Sequence, residues 1–171
     1  MTPPPPTCVV VVLGVSGAGK TTVGRALAER AGWAFEDADA HHSPASNAKM
    51  ARGQGLTDAD RAPWLAALAA LVRDRAEVGP PTVLACSALR ARYRRRLGAG
   101  RPDVAFAWLD VPPDVLAARL RQRPGHVAGP DLLPSQLATF EPPADALRLD
   151  GTRPPEALAA EIAERLGLAP G

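Results

Sequence analysis

The sequence predicts a three-layer α/β/α domain built on a five-stranded parallel sheet, and three observations lead to this prediction. Apolar, β-branched segments of strand length alternate with segments of helical periodicity along the chain. Such alternation is typical of a parallel sheet that helices cover on both faces. The first apolar segment, 9–13, runs directly into a glycine-rich stretch, 14–22, that precedes a helix. The 171 residues fit one domain with a single core.

The expected elements follow one another in chain order. We expect strands at 9–13, 33–37, 82–86, 104–109 and 146–149. We expect helices at 22–31, 45–52, 61–78, 87–97, 112–121, 134–140 and 154–166. A capping box, Thr57-x-x-Asp60, begins the third helix, and Gly-Pro-Pro at 79–81 ends it. Loops are expected at 40–47 and 122–133, the second as a mobile lid, and a disordered proline-rich tail is expected at 1–7.

Composition narrows the class of protein. The net charge of +2, from 20 basic and 18 acidic residues, argues against a polybasic nucleic-acid binder. No apolar stretch approaches the roughly 20 residues of a membrane-spanning helix, and the N-terminus lacks the pattern of a signal peptide. Cys8 and Cys86 are expected at opposite ends of parallel strands, too far apart for a disulfide. We therefore expect reduced thiols and a cytoplasmic protein.

The glycine-rich stretch carries the strongest functional signal. Residues 14–21 match G-x-x-x-x-G-K-[ST] at every fixed position. A strand that ends in glycines and enters a helix presents backbone N–H groups and the positive helix end to an anion, so we expect the phosphates of ATP there. Lys20 is expected to reach the β- and γ-phosphates and Thr21 to ligate Mg²⁺, whereas a glycine-rich turn without chemistry is the alternative. The expected ATP-binding residues of this stretch are Gly14, Val15, Ser16, Gly17, Ala18, Gly19, Lys20, Thr21 and Thr22.

Two carboxylates follow the second expected strand. Asp37 and Asp39 stand two positions apart, so their side chains point the same way if the strand extends that far. A phosphotransferase needs a group that orients, and in some cases deprotonates, the attacking hydroxyl. Asp39 is our candidate for that role, or for holding Mg²⁺ through water. The alternative, which weighs more for Asp37, is a strand-end aspartate that caps the next turn.

Histidines and isolated cations in the segment 41–61 are weaker candidates for substrate-binding residues. His41 and His42 are neighbours in a polar segment, where they either contact an anionic or hydroxylated substrate or remain solvated. No further ligands at suitable spacing favour a zinc site. Arg61 either neutralises a phosphate or a substrate carboxylate, or pairs with Asp58. Lys49 is one of only two lysines in the chain, so a specific role and chance both stay open.

The arginines fall into two groups. Segment 90–96 holds five arginines and one aromatic residue, which favours a solvated helix face over a nucleic-acid site. Arg119 and Arg123 lead into the expected lid, where they either stabilise charge on a transferred phosphoryl group or suit the end of a helix dipole. Asp110 ends an apolar strand like a Walker B aspartate, but the prolines that follow explain a polar residue there without chemistry.

Several of these segments together resemble the P-loop gluconokinases, which are relatives of shikimate kinases and nucleoside-monophosphate kinases. The resemblance covers about residues 8–165, and its D-x-D-R-x-P-W-L and C-S-A-L blocks are specific to this family among P-loop kinases. The matching blocks are GVSGAGKTTVG at 14–24, Asp37-Ala38-Asp39 with His42, Asn47-x-Lys49-Met50, Gly53-x-Gly55-Leu56-x-Asp58-x-Asp60-Arg61-x-Pro63-Trp64-Leu65, Cys86-Ser87-Ala88-Leu89 with Tyr93-Arg94, Arg119-Leu120-x-x-Arg123-x-Gly125-His126, Ser135-Gln136 and Glu141-Pro142.

The resemblance implies a P-loop NTPase fold and a kinase that phosphorylates D-gluconate at O6 with ATP and Mg²⁺. It implies that Lys20 and the loop amides hold ATP, that Asp39 orients the sugar hydroxyl, and that Arg123 with Arg119 closes over the phosphates. A homodimer is the assembly that the resemblance suggests. The residues that it suggests for contacting gluconate or framing its site are His42, Lys49, Arg61, Arg94 and His126.

Two other functions stay open at this point. A kinase of the same architecture that acts on another sugar acid or on shikimate carries the same phosphate-binding chemistry. A P-loop protein that binds a nucleotide for regulation, or that processes nucleic-acid ends through the arginine-rich helix, also fits the motif taken alone.

Overall fold

A five-stranded, all-parallel sheet forms the middle layer of the protein, in a computed structural model that describes residues 3, 6–123 and 132–171. The strand order across the sheet is β2-β3-β1-β4-β5. The strands are β1 (Val9–Leu13), β2 (Ala34–Asp37), β3 (Thr82–Ala85), β4 (Val104–Asp110) and β5 (Leu147–Asp150). The α-helices are α1 (Lys20–Ala31), α2 (Pro44–Ala51), α3 (Asp58–Glu77), α4 (Ala91–Arg96), α5 (Pro113–Arg121), α6 (Leu133–Thr139) and α7 (Pro155–Leu166).

Strand β1 lies at the centre of the sheet between β3 and β4, and each of its residues is at most 1% exposed. A strand covered on both faces needs such an uninterrupted apolar sequence. The register pairs Val12 of β1 with Ala85 of β3, and Asp37 of β2 pairs with the same alanine. The carboxyl ends of these three strands therefore meet at one edge, which is where ligands bind in parallel sheets.

Two apolar clusters flank the sheet, because alternate side chains of a strand point to opposite faces. Val10 and Val12 pack with residues of α1, α5 and α7. Val9, Val11 and Leu13 pack on the other face with residues of α3 and α4. This arrangement of helix, sheet and helix layers confirms the predicted fold class.

Two predicted segments differ from the structure for a clear local reason. Residues 40–47 are not a loop throughout, because a 3₁₀ turn spans Ala38–His41 and α2 begins at Pro44. The Ser43 side chain accepts a hydrogen bond from the Ser46 N–H, and proline suits the first helical position. The helix expected at 87–97 begins only at Ala91. Ala88 has a φ of 44°, in the left-handed region that a right-handed helix excludes.

Some expectations fall on residues that the structure does not describe. Residues 124–131 of the expected lid and residues 1, 2, 4 and 5 of the expected tail lie outside the described part of the chain. Within the described residues, no helix is both long and apolar enough to cross a bilayer. Cys8, which precedes β1, and Cys86, which follows β3, are both free thiols, as predicted.

Candidate active site

Residues 14–19 form the phosphate loop between β1 and α1. Gly17 and Gly19 have φ values of 87° and 95°, which glycine adopts at little cost. Gly19 is also the N-cap of α1, and no side chain caps the helix there. The N–H groups at the start of α1 are therefore available to a ligand, and the helix dipole adds a positive potential.

Lys20 begins α1 and folds back over the loop. Its Nζ donates a hydrogen bond to the carbonyl oxygen of Val15 at 3.0 Å. Burial lowers the pKa of Lys20, and the negative charges of Asp39 and Asp37 act against that decrease. The ammonium group thus lies close to the loop and to the two carboxylates that follow β2.

The side chain of Asp37 joins β2 to the phosphate loop. Its Oδ2 accepts a hydrogen bond from the Thr21 hydroxyl at 2.9 Å, and its Oδ1 accepts one from the Asp39 N–H at 3.0 Å. The capping interpretation of Asp37 therefore holds, but the contact with Thr21 also brings it into the site. A hydroxyl and a carboxylate are oxygen ligands that suit Mg²⁺.

Within the described residues, no group of three or more His, Cys, Asp or Glu side chains could hold a metal ion. Magnesium is commonly bound through one or two carboxylates together with substrate phosphates rather than in an all-protein cage. The Thr21–Asp37 pair beside the phosphate loop fits that mode of binding.

The main cavity, of about 440 Å³, opens beside the phosphate loop. This volume lies within the usual range for small-molecule sites. The wall 86–89, which follows β3, lines the cavity on one side, and Asp39 and Arg123 also line it. Burial raises the pKa of the Cys86 thiol to about 12, so this cysteine is a neutral part of the wall rather than a nucleophile.

A second cavity, of about 360 Å³, lies on the other side of the phosphate loop. Gly19 and Arg123 line both cavities. Thr22 and Arg119 line only the second one, together with Gly151. One ligand held by the phosphate loop can therefore occupy both spaces.

His42 and Trp64 form a stacked pair in the main cavity. Their ring centroids lie 4.4 Å apart with an interplanar angle of 11°, and Trp64 Nε1 donates to the Ala38 carbonyl oxygen at 2.7 Å. The His42 side chain is only 6% exposed, and its Nε2 lies 3.9 Å from Asp39 Oδ1. Its Nδ1 is buried without a hydrogen-bond partner among the described residues. Burial lowers the pKa of His42, so the neutral ring is favoured.

Asp58 contacts two residues that line the main cavity, Tyr93 and Arg61. Its two oxygens accept hydrogen bonds from the Tyr93 hydroxyl and the Arg92 guanidinium, both at 2.7 Å. These bonds, that of Tyr93 first, lower the pKa of Asp58. Arg61 lies 3.9 Å from the same carboxylate and also lines the cavity. Both interpretations of Arg61 are therefore compatible with its position.

Lys49 and Arg94 were expected to contact gluconate or to frame its site, and neither of them lines the main cavity. Lys49 donates to Asp60 at 2.7 Å, and the same carboxylate accepts the Thr57 N–H in the predicted capping box. The Lys49 bond, with those of Thr57, lowers the pKa of Asp60 to about 2. Arg94 is 5% exposed and donates to the Ala88 carbonyl at 2.7 Å. Arg94 therefore supports the wall 86–89 through a backbone hydrogen bond, which is compatible with the suggestion that it frames the site.

Arg119, which was expected to close over the phosphates with Arg123, is hydrogen-bonded to the phosphate loop. It lies on α5, where Nη1 donates to the carbonyls of Gly17 and Ala18 at 3.2 and 3.3 Å. Its Nη2 donates to the Gly151 carbonyl at 2.9 Å. Arg123 follows α5 and is exposed, and His126 lies outside the described residues.

Some participants were missed or misjudged at the level of sequence. Gln136 accepts a hydrogen bond from the Ser16 N–H at 2.7 Å, across 120 positions of the chain. Trp64 was named as part of a family-specific block, and its stacking with His42 was not predicted. The family-specific blocks that contain both residues are the one signal that could have found them. Asp110 pairs with Arg148 at 2.6 Å and does not line the cavity, so it has no Walker B position.

Comparison with known proteins shows the family of this chain. Residues 9–143 match the protein family described as an AAA domain. A gluconokinase of Gluconobacter oxydans is 46% identical over 156 residues, which cover 90% of this chain and 88% of that protein. A solved sugar kinase of Janibacter sp. HTCC2649 is 46% identical with a TM-score of 0.86 over 96% of each chain. A solved gluconokinase of Sinorhizobium meliloti 1021 is 39% identical with a TM-score of 0.75 over 95% of this chain and 96% of that one. The chain therefore belongs to the gluconokinase family.

Proposed function

We propose that this protein transfers the γ-phosphoryl group of ATP to the 6-hydroxyl of D-gluconate. The bond between the γ-phosphorus and its bridging oxygen breaks, a bond from O6 to phosphorus forms, and the hydroxyl proton is released. The products are 6-phospho-D-gluconate and ADP. The observation that carries the proposal is one cavity that contains the phosphate loop, the exposed carboxylate of Asp39 and the wall 86–89.

The nucleotide end of the site holds and neutralises phosphates. The free N–H groups at the start of α1 and the Lys20 ammonium face the position where the β- and γ-phosphates bind. Arg123, which lines both cavities, is placed to neutralise charge on the transferred group. Thr21 and Asp37 would hold Mg²⁺, which would neutralise charge on the phosphates when bound.

The acceptor end orients the sugar acid. The Asp39 side chain is 78% exposed and lines the cavity, so it can accept a hydrogen bond from the attacking hydroxyl. His42 lines the cavity near Asp39, so its neutral ring can contact the sugar acid. Arg61 offers a cation to the carboxylate of gluconate. Most of the rate enhancement in such a transfer comes from positioning and charge neutralisation.

The proposal includes the wider properties that the sequence predicted. The chain acts as a single kinase domain with residues 122–133 as its lid, in the cytoplasm and as a homodimer. Light scattering of the purified protein tests the assembly, since a mass of one 17.8 kDa chain contradicts the dimer.

A substrate panel tests the reaction itself. ADP release is measured with ATP and Mg²⁺ against gluconate, other sugar acids and shikimate. Gluconate is expected to give the highest kcat/KM, with 6-phosphogluconate as the product by mass spectrometry. A higher kcat/KM on shikimate or on another sugar acid contradicts the proposed acceptor. Steep salt-dependent binding of an oligonucleotide without any turnover of gluconate favours a nucleic-acid function instead.

A further inference from the structure

The phosphate loop is bonded from outside by a side chain on a helix far away in sequence. Gln136 of α6 accepts a hydrogen bond from the Ser16 N–H at 2.7 Å. Among the described residues, Gln136 is the only side chain that bonds an N–H group of the loop. Arg119 donates to carbonyl groups of the same loop, so the two side chains bond different kinds of backbone group.

The Ser16 N–H depends on this contact because the residue is only 6% exposed. A buried N–H group without an acceptor loses more free energy than an ordinary hydrogen bond contributes. Gln136 satisfies the group with a neutral amide and adds no negative charge beside the phosphates. The Ser16 peptide is thus held to α6 by this side chain.

The chain directly after α6 is bonded to the wall 86–89. The Glu141 N–H donates to the Leu89 carbonyl at 2.8 Å. The buried guanidinium of Arg94 donates to the Glu141 carbonyl at 2.6 Å and to the Ala88 carbonyl at 2.7 Å. Leu89 and Gln136 both line the main cavity. The short segment 136–141, which begins in α6 and continues two residues past its end, therefore contacts both the loop that holds the phosphates and the wall beside the acceptor.

Phosphoryl transfer depends on the distance between the acceptor oxygen and the γ-phosphorus, and a misplacement of about 1 Å can cost about a hundredfold in rate. We infer that Gln136 is a positioning residue, which fixes the phosphate loop relative to the wall 86–89 and so aligns ATP with its acceptor. This inference rests on the proposed kinase function. Gln136 acts through the Ser16 peptide and has no contact with the reacting atoms in this account.

Two substitutions at one position test the inference. Gln136→Leu removes the acceptor for the Ser16 N–H at similar size, whereas Gln136→Glu keeps an acceptor oxygen and adds a charge. We expect Gln136→Leu to lower kcat by about tenfold or more, with little change in the Kd of a non-hydrolysable ATP analogue. We expect Gln136→Glu to retain most of kcat at saturating ATP but to raise KM for ATP, because its carboxylate repels the triphosphate.

Controls separate this role from a purely structural one. Ala138→Ser changes an exposed position of the same helix and is expected to behave like the wild type. Thermal unfolding of each variant measures stability alongside the kinetics. The kinetic assays use the acceptor that the wild type phosphorylates best in the substrate panel. A wrong assignment of gluconate is then detected with the wild type alone, whereas a wrong inference about Gln136 is detected with the variants.

Three results overturn the inference. The first is a wild-type kcat in Gln136→Leu. The second is an equal loss of kcat in the Leu and Glu variants with a matching fall in melting temperature, which indicates a structural role only. The third is a similar loss of kcat in Ala138→Ser, which indicates that any change in α6 is harmful.

Discussion

The two ends of the main cavity are built in different ways. The phosphate end comes from one continuous segment, residues 14–21, and its binding groups are mostly backbone N–H groups and a helix end. The acceptor end comes from side chains on separate segments, among them residues 39–42, Arg61 and the wall 86–89. Backbone groups recognise phosphate through a conformation that glycines permit. Side chains recognise a sugar acid through individual hydrogen bonds and charges.

This difference predicts different responses to substitution. The phosphate loop acts as a unit around one indispensable cation, so a single change there should be severe. The acceptor end shares its contacts among several side chains, so most single changes there should alter KM in a graded way. Asp39 is the exception we expect at the acceptor end, because in the proposed reaction it accepts a hydrogen bond from the attacking hydroxyl. The following variants test the comparison, from the largest expected effect to the smallest.

Lys20→Ala should have the largest effect. We expect kcat/KM to fall by about 10³-fold, because the substitution removes a cation that faces the developing charge on the phosphates. Steady-state kinetics measure this loss. The chain provides a matched control in its only other lysine, since Lys49 pairs with Asp60 away from the cavity. Lys49→Ala should retain most of the activity, and equal losses in the two variants contradict a specific role for Lys20.

Asp39→Asn should lower kcat by about a hundredfold, because an amide is a weaker acceptor for the attacking hydroxyl. The Kd for an ATP analogue, measured by calorimetry, should change little. Asp37→Asn is the informative comparison, because Asp37 lines the same cavity but its Oδ2 accepts a hydrogen bond from the Thr21 hydroxyl. That variant should raise the Mg²⁺ concentration needed for half-maximal activity. An unchanged kcat in Asp39→Asn refutes the positioning role.

The phosphate end was predictable because its signal is local. The motif at 14–21 follows a buried strand, and both the sequence pattern and the chemistry depend on the same few residues. The strand order was not predicted, but the parallel sheet follows from the alternation of elements. The carboxyl ends of β1, β2 and β3 meet at one edge of such a sheet, which brings Asp39 and Cys86 near the loop.

The positions of isolated cations were harder to predict. Arg94 lies in an arginine-rich helix and has the local pattern of a surface residue, yet it is buried because the carbonyls of Ala88 and Glu141 converge on it. Those carbonyls belong to segments that only the tertiary fold brings together. Gln136 is a comparable case, since nothing in its local sequence indicates a bond to Ser16. Family resemblance flagged these residues, and it could not say what they contact.

Arg61→Leu should show the graded response of the acceptor end. We expect KM for gluconate to rise by about tenfold, which corresponds to about 1.4 kcal/mol, with kcat nearly unchanged. Arg92→Leu is the matched control, because Arg92 bonds the same carboxylate of Asp58 but does not line the cavity. An equal rise of KM in both variants indicates that the Asp58 network, rather than an Arg61 contact with gluconate, affects binding.

Substitution of His42 should have the smallest effect, which is a change in how the stability of the protein depends on pH. Burial lowers the folded-state pKa of His42, with Asp39 raising it and Arg61 and His41 lowering it further. The unfolded chain therefore binds more protons than the folded one as the pH falls below about 6.5, and the free energy of unfolding decreases in that range. His42→Phe keeps an aromatic ring beside Trp64 but cannot be protonated. Its melting temperature should fall less than that of the wild type between pH 7 and pH 5, by a few degrees. His41→Gln should keep most of the wild-type dependence, and identical pH profiles for wild type and His42→Phe contradict a neutral, buried His42.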